Sequence, residues 1–185
     1  MIATAITPTF QQFYAALTAF IMEVTNLPAS QVVQGLPNRA PMPLPGFISF
    51  QTIMRHRLRT SIDLPQNTAD DLATITEGVE LTVQIDCYGA LTQTYGPGDW
   101  ANMLCATLRD NFGCAFFENA LGAGIVDPLY CDDARMIPLV AGEDQYEERW
   151  SVSAVFQLNP TTTIAQQYAE VLKIQLVNVP AGIPS

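Results

Sequence analysis

The sequence predicts an α+β fold in which a mostly antiparallel mixed sheet of about five to six strands carries two main helices on it. Three observations point there. Apolar residues recur at helical spacing near the start of the chain, they alternate with polar ones over residues 77–88 and again beyond Trp150, and a polar turn between late strands sets neighbours antiparallel. With 185 residues, 49% of them hydrophobic and 14% charged, the chain can bury one sizeable core, and residues 1–185 are expected to form one domain.

The elements follow in order. From Thr7 onward, Phe10, Phe13, Tyr14, Leu17, Phe20, Ile21 and Val24 share one face of an amphipathic helix, with Thr7 as its cap and Pro8 in its first turn. Gln11, Gln12 and Glu23 interrupt this apolar run and no basic leader precedes it, so neither a signal peptide nor a membrane span is expected. A short strand is expected over 31–34. Pro37, Pro41, Pro43 and Pro45 then make residues 36–46 a stiff, extended crossing.

Phe47 to Thr60 reads as a strand with Ile48, Phe50, Met54 and Leu58 on one face and Ser49, Gln51, Arg55, Arg57 and Arg59 on the other. Its expected antiparallel partner, 77–88, sets Val79, Leu81, Val83, Ile85 and Cys87 against Glu80, Thr82, Gln84 and Asp86. The connection 61–76 is polar, carries Asp63, Asp70 and Asp71, and reads as a long loop. Pro97 suits the first turn of a second helix whose apolar face, Ala101, Leu104, Cys105, Leu108 and Phe112, ends at Gly113. Residues 113–131 read as irregular. Then come a strand over 135–140, a hairpin turn at 141–144, and a long strand with Trp150, Val152, Ala154, Phe156 and Leu158 on one face, broken at Asn159-Pro160. Leu172, Ile174 and Leu176 suggest a final strand, and residues 163–172 also admit a helix.

Composition narrows function mostly by exclusion. Eight basic residues against eighteen acidic ones give a net charge of −10, which disfavours nucleic-acid binding through a basic surface. His56 is the only histidine, so catalytic schemes and metal sites that need a second one fail. Cys87, Cys105, Cys114 and Cys131 form no C-x-x-C pair and read as reduced core residues. Asp127, Asp132 and Asp133 lack the glycine and bidentate glutamate of a calcium loop, and Gly122-x-Gly124 lacks the third glycine of a dinucleotide fingerprint. No catalytic, cofactor or metal site is expected.

Candidate contact residues remain. Arg55, Arg57 and Arg59, with Arg39 nearby, either pair with Glu80 and Asp86 across the strands or form a docking surface for an acidic partner, another copy of the chain included. Asp70 and Asp71 lie in the long loop and Glu143, Asp144 and Glu147 near the late hairpin, where they read either as a solvated turn or as the acids that meet the arginines of a neighbouring copy. Trp100 is open to two readings, a core lid or an interface anchor.

Two stretches and the order of elements resemble the tail terminator or neck terminator proteins of long-tailed bacteriophages. One is Asn38-Arg39-Ala40-Pro41-Met42-Pro43-Leu44-Pro45-Gly46-Phe47-Ile48, the other Glu148-Arg149-Trp150-Ser151-Val152-Ser153-Ala154-Val155-Phe156; the similarity spans roughly residues 7–179. The resemblance implies a non-enzymatic virion protein of the tail-neck region, assembled in the host cytoplasm. It implies a homo-oligomeric ring, commonly a hexamer, on the head-proximal end of the tail tube, which ends tube polymerisation and offers a docking surface to head-completion or connector proteins. DNA would pass through without specific binding, no cofactor is needed and no membrane is involved. Two alternatives stay open at this point, a head-tail connector or other neck protein and a cytosolic small-molecule-binding domain.

Overall fold

The structure, a computed structural model, describes residues 5–35, 46–65, 72–89, 94–140 and 146–165. Strand β1 (Ala5–Thr7) leads into helix α1 (Phe10–Thr25). The cap is Thr9 rather than Thr7. Thr9 is extended, its hydroxyl accepts the Gln12 N–H at 3.2 Å, and the Gln12 side chain accepts the Thr9 N–H at 2.8 Å, a reciprocal capping box that leaves Pro8 outside the helix. Asn26, left-handed at φ 56°, ends α1.

Strand β2 (Val32–Gln34) pairs in parallel with β3 (Phe47–Arg57), the one parallel pair among the described strands. Next come β4 (Ile62–Pro65), β5 (Leu72–Thr76) and β6 (Val79–Gly89), then α2 (Pro97–Leu108) and α3 (Asn111–Leu121). The chain closes through β7 (Val126–Cys131), β8 (Arg135–Met136), β9 (Leu139–Val140), β10 (Tyr146–Leu158) and β11 (Thr161–Ala165). The larger sheet runs β2-β3-β6-β10-β7, with β8 and β9 also on β10, and the smaller runs β1-β11-β5-β4. The α+β class is as expected, with a third helix and a second sheet added.

The second sheet corrects the long loop expected at 61–76. The β6–β10 ladder ends at Val79 opposite Leu158, and after two residues on each chain it resumes as Thr76 opposite Thr161. Pro160 has no N–H to give the ladder, but its carbonyl still accepts from Glu77 at 3.0 Å. Likewise β3 passes its pairing with β6 to β4 with β5, and Leu58 N–H donates to Gly78 O at 2.9 Å. What reads as a polar loop is the outer half of a long, broken hairpin. Its threonines are polar by composition yet β-branched, and suited to strands.

Other expectations change at the helices. α2 stops at Leu108 and α3 begins two residues after Arg109, capped by the Asp110 carboxylate on Phe112 N–H at 2.9 Å, so residues expected to be irregular form α3 and β7. Gly113 lies inside α3, where a Cβ would stand 2.8 Å from Thr107 O; its absence lets the two helices meet closely. Residues 163–165 are strand, which removes the helical option there. The Pro-rich crossing, apart from Gly46, and the final strand near 172–176 lie outside the described residues.

The helices cover the sheet face formed by Ile48 and Phe50, by Val79 to Cys87 in alternation, and by Val152 to Leu158 in alternation, all of them buried. Phe117 joins the layers, with its ring 5.4 Å from both Phe20 on α1 and Phe156 on β10. Trp100 is 3% exposed and belongs to this core, the first of its two readings.

Candidate assembly surface

Beyond Phe50, where its pairing with β2 ends, β3 changes face. Thr52 lies opposite Val83 and Met54 opposite Thr82, which makes Ile53 the extra residue of a bulge. Two residues facing one shift the alternation by one. Arg55, opposite Leu81, and Arg57, opposite Val79, therefore stand on the helix side of the sheet, and Met54 and His56 stand on the outer side. The uninterrupted alternation expected from the sequence does not survive the bulge.

The change of face also changes partners. Glu80 and Asp86, the acids expected to pair with the arginines, point to the opposite side. Glu77, in the link between β5 and β6, takes both instead: its carboxylate lies 2.7 Å from Arg55 Nη2 and 3.2 Å from Arg57 Nε. Arg57 also donates to Arg59 O at 3.1 Å and to Ser61 Oγ at 2.7 Å. Arg59 lies past the strand end, its side chain against Gly78, so the three arginines do not form one stripe. Two guanidiniums on one carboxylate leave an excess positive charge. Both arginine side chains are about half exposed, at 51% and 55%, where such pairs contribute ~0–1 kcal/mol.

Beside Arg55, a cavity of about 290 Å³ opens, lined chiefly by Ile6, Pro8, Phe10, Leu81 and Leu158. Ile6 and Phe10 at its edge are exposed. The surface thus combines apolar side chains with positive charge.

The outer sheet face holds a different ion pair. Asp86, buried, lies 2.9 Å from Arg149 Nη2 and accepts from Gln84 Nε2 at 2.9 and 3.1 Å. Arg149 sits 5.7 Å over the Tyr88 ring, which stacks on Phe47 at 4.6 Å, and burial raises the Tyr88 phenol's pKa. Trp150 Nε1 donates to Glu148 at 2.6 Å. The Glu148-Arg149-Trp150 segment thus has partners within its own chain. Arg109 does similar work at the end of α2, donating to Cys131 O at 2.7 Å and pairing with Asp133 at 2.9 Å.

The acidic candidates lie elsewhere. Arg57 is level with Leu158 through Val79, whereas Glu147 pairs with Leu139 at the other end of β10. Eleven positions separate Glu147 from Leu158, roughly 35 Å at ~3.3 Å per residue, so the chain cannot bring Glu147 to its own Arg57. Arg39, Asp70, Asp71, Glu143 and Asp144 lie outside the described residues. Sequence reasoning missed Glu77; its place just before the glycine that opens β6 was the available signal.

Among the described residues no group of three or more His, Cys, Asp or Glu side chains is arranged to hold a metal ion. His56 is exposed opposite Glu80. Among those residues no helix is long and apolar enough to cross a membrane.

The fold is that of an α+β protein whose sheet runs on past its helix-covered core and carries half-exposed arginines where it does so. Residues 11–183 match the phage neck terminator proteins, and the chain belongs to that family. Membership makes it a structural component of the virion's tail and neck. Among solved structures it is similar to the sheath/tube terminator of an extracellular contractile injection system, PVC, seen by cryo-EM in the extended state. The two share 11% identity and a TM-score of 0.50 over 95% of this chain and 65% of that one, so the likeness is one of fold and this chain spans about two-thirds of its neighbour's length. No curated protein matches.

Proposed function

We propose that this chain, as a single domain, forms a ring, commonly a hexamer, that caps the head-proximal end of the phage tail tube. The ring ends tube polymerisation and presents a docking surface to head-completion or connector proteins. Its partners are other copies of itself, the tail tube protein and the neck; it assembles in the host cytoplasm, makes and breaks no bond, and needs no cofactor. The observation that carries this reading is the neck terminator match over residues 11–183.

The physical support is the separation of charge along the sheet. Arg55 and Arg57 carry excess positive charge at one end, and Glu147, preceded in the sequence by Glu143 and Asp144, lies near the start of β10 toward the other. A contact between unlike patches on successive copies is heterologous and closes into a ring when its rotation divides a full turn. Opposite charges on the two patches set register and speed encounter more than they add affinity. The net charge of −10 suits a lumen that repels DNA phosphates.

Light scattering and negative-stain images of the purified protein test this. Rings are the expected result, and Arg55→Glu with Arg57→Glu is expected to give folded single chains. A wild-type protein that stays monomeric at assembly concentrations, or a double variant that forms rings as the wild type does, contradicts the corresponding part of the reading.

A further inference from the structure

Two of the four cysteines sit together. Cys105 on α2 and Cys131 at the end of β7 place their sulfur atoms 3.5 Å apart, and both thiols are free and buried. Cys87 is buried separately in β6 and Cys114 lies on α3. The corner that holds the pair is already tied by Arg109, whose Nε donates to Cys131 O at 2.7 Å and whose Nη2 meets Asp133 at 2.9 Å. Reaching the ~2.05 Å of a disulfide needs the sulfurs to close by only about 1.5 Å.

We propose that Cys105 and Cys131 form a site of oxidative cross-linking that staples α2 to β7 once the protein leaves a reducing compartment. The co-reactant is a small disulfide such as oxidised glutathione. The Cys105 thiol gives up its proton and the thiolate attacks one glutathione sulfur, forming a mixed disulfide and expelling a glutathione thiolate, which takes a proton. The deprotonated Cys131 sulfur then attacks the Cys105 sulfur and expels the second glutathione thiolate, which is also protonated. Two protein thiols are oxidised and one glutathione disulfide is reduced to two thiols.

The surroundings favour Cys105 as the first nucleophile. A hydrogen bond from the Cys131 thiol, and then the Arg109 guanidinium, hold the Cys105 pKa below its ordinary value, whereas Cys131 is pushed up. Cys105 Sγ also lies 3.1 Å from Asp132 O, to which its neutral thiol donates in the reduced state. The closed loop takes in the end of α2, all of α3 and all of β7, so the bond ties this helical corner to an outer strand of the sheet. Its timing rests on the virion reading, because a virion assembled in a reducing cytoplasm is later exposed to oxidising surroundings; its chemistry does not.

The test uses the wild-type protein, reduced, folded and without urea, exposed to oxidised glutathione. Thiol titration and peptide mass spectrometry without reductant are expected to show two of the four thiols lost in a single link between the Cys105 and Cys131 peptides. The oxidised protein is expected to melt several degrees higher, and dithiothreitol is expected to reverse the shift. Cys131→Ser supplies a second arm in which neither the internal link nor the shift forms. The proposal is overturned if all four thiols survive, if the link forms only in urea, if the bonds involve Cys87 or Cys114, or if the link leaves the melting temperature unchanged. Ring formation is measured separately, so failure of the bond and failure of the assembly reading are distinguishable.

Discussion

Asp86 and Glu77 each meet arginine at 2.7 to 2.9 Å, yet their surroundings give the two contacts different weight. Asp86 is buried, and its partner Arg149 is 22% exposed at the side chain and lies over Tyr88. Asp86→Ala leaves that guanidinium and the Gln84 amide without their acceptor, and is expected to cost ~2 kcal/mol in urea unfolding. Arg55→Ala, at a side chain half in water and beside a second arginine that still holds Glu77, is expected to stay within ~0.5 kcal/mol. Equal losses would show that burial does not separate the pairs. The tolerance expected at Arg55 leaves its side chain free to serve a partner. Sequence alone set Asp86, with Glu80, opposite these arginines and passed over Glu77, because nothing in the string from Phe47 to Thr60 marks Ile53 as an extra residue.

Among the elements, the long strands that alternate without a break were legible, because strict alternation requires the burial it reports. β6 and β10 bear their expected apolar residues toward the helices almost without exception. The elements that alternation does not describe were lost. The β4–β5 pair is short and shows no strict alternation, so its strand character rests on its β-branched residues and on being the continuation of the ladders beneath it. α3 was hidden by Gly113, read as a helix stop when it is the point where α3 meets the end of α2. Gly113→Ala tests this corner. The new methyl would meet the Thr107 carbonyl at 2.8 Å, and the expected loss is ~1–3 kcal/mol from overpacking, read by thermal or urea melting. A stabilised variant, as the higher helix propensity of alanine alone would give, would contradict the close approach.

For the whole molecule, the fold supplies a rigid sheet and helix body from which a broken hairpin runs on past the core, with positive charge where the sheet breaks. The core side of this arrangement was readable from the sequence; the contact side was readable only in part. Charge counts identify which residues are available, but the face each one takes depends on a bulge and on a turn acid. Half of the candidate residues, including Arg39 and Asp70, lie outside the described part of the chain. The central claim, that this neck terminator stops tube growth by capping, is best tested by electron microscopy of tail tube protein polymerised with and without it. The account predicts tubes of limited length that carry a ring at one end only. Tubes that reach the same length with bare ends, at protein concentrations where rings are present in the same images, would contradict it.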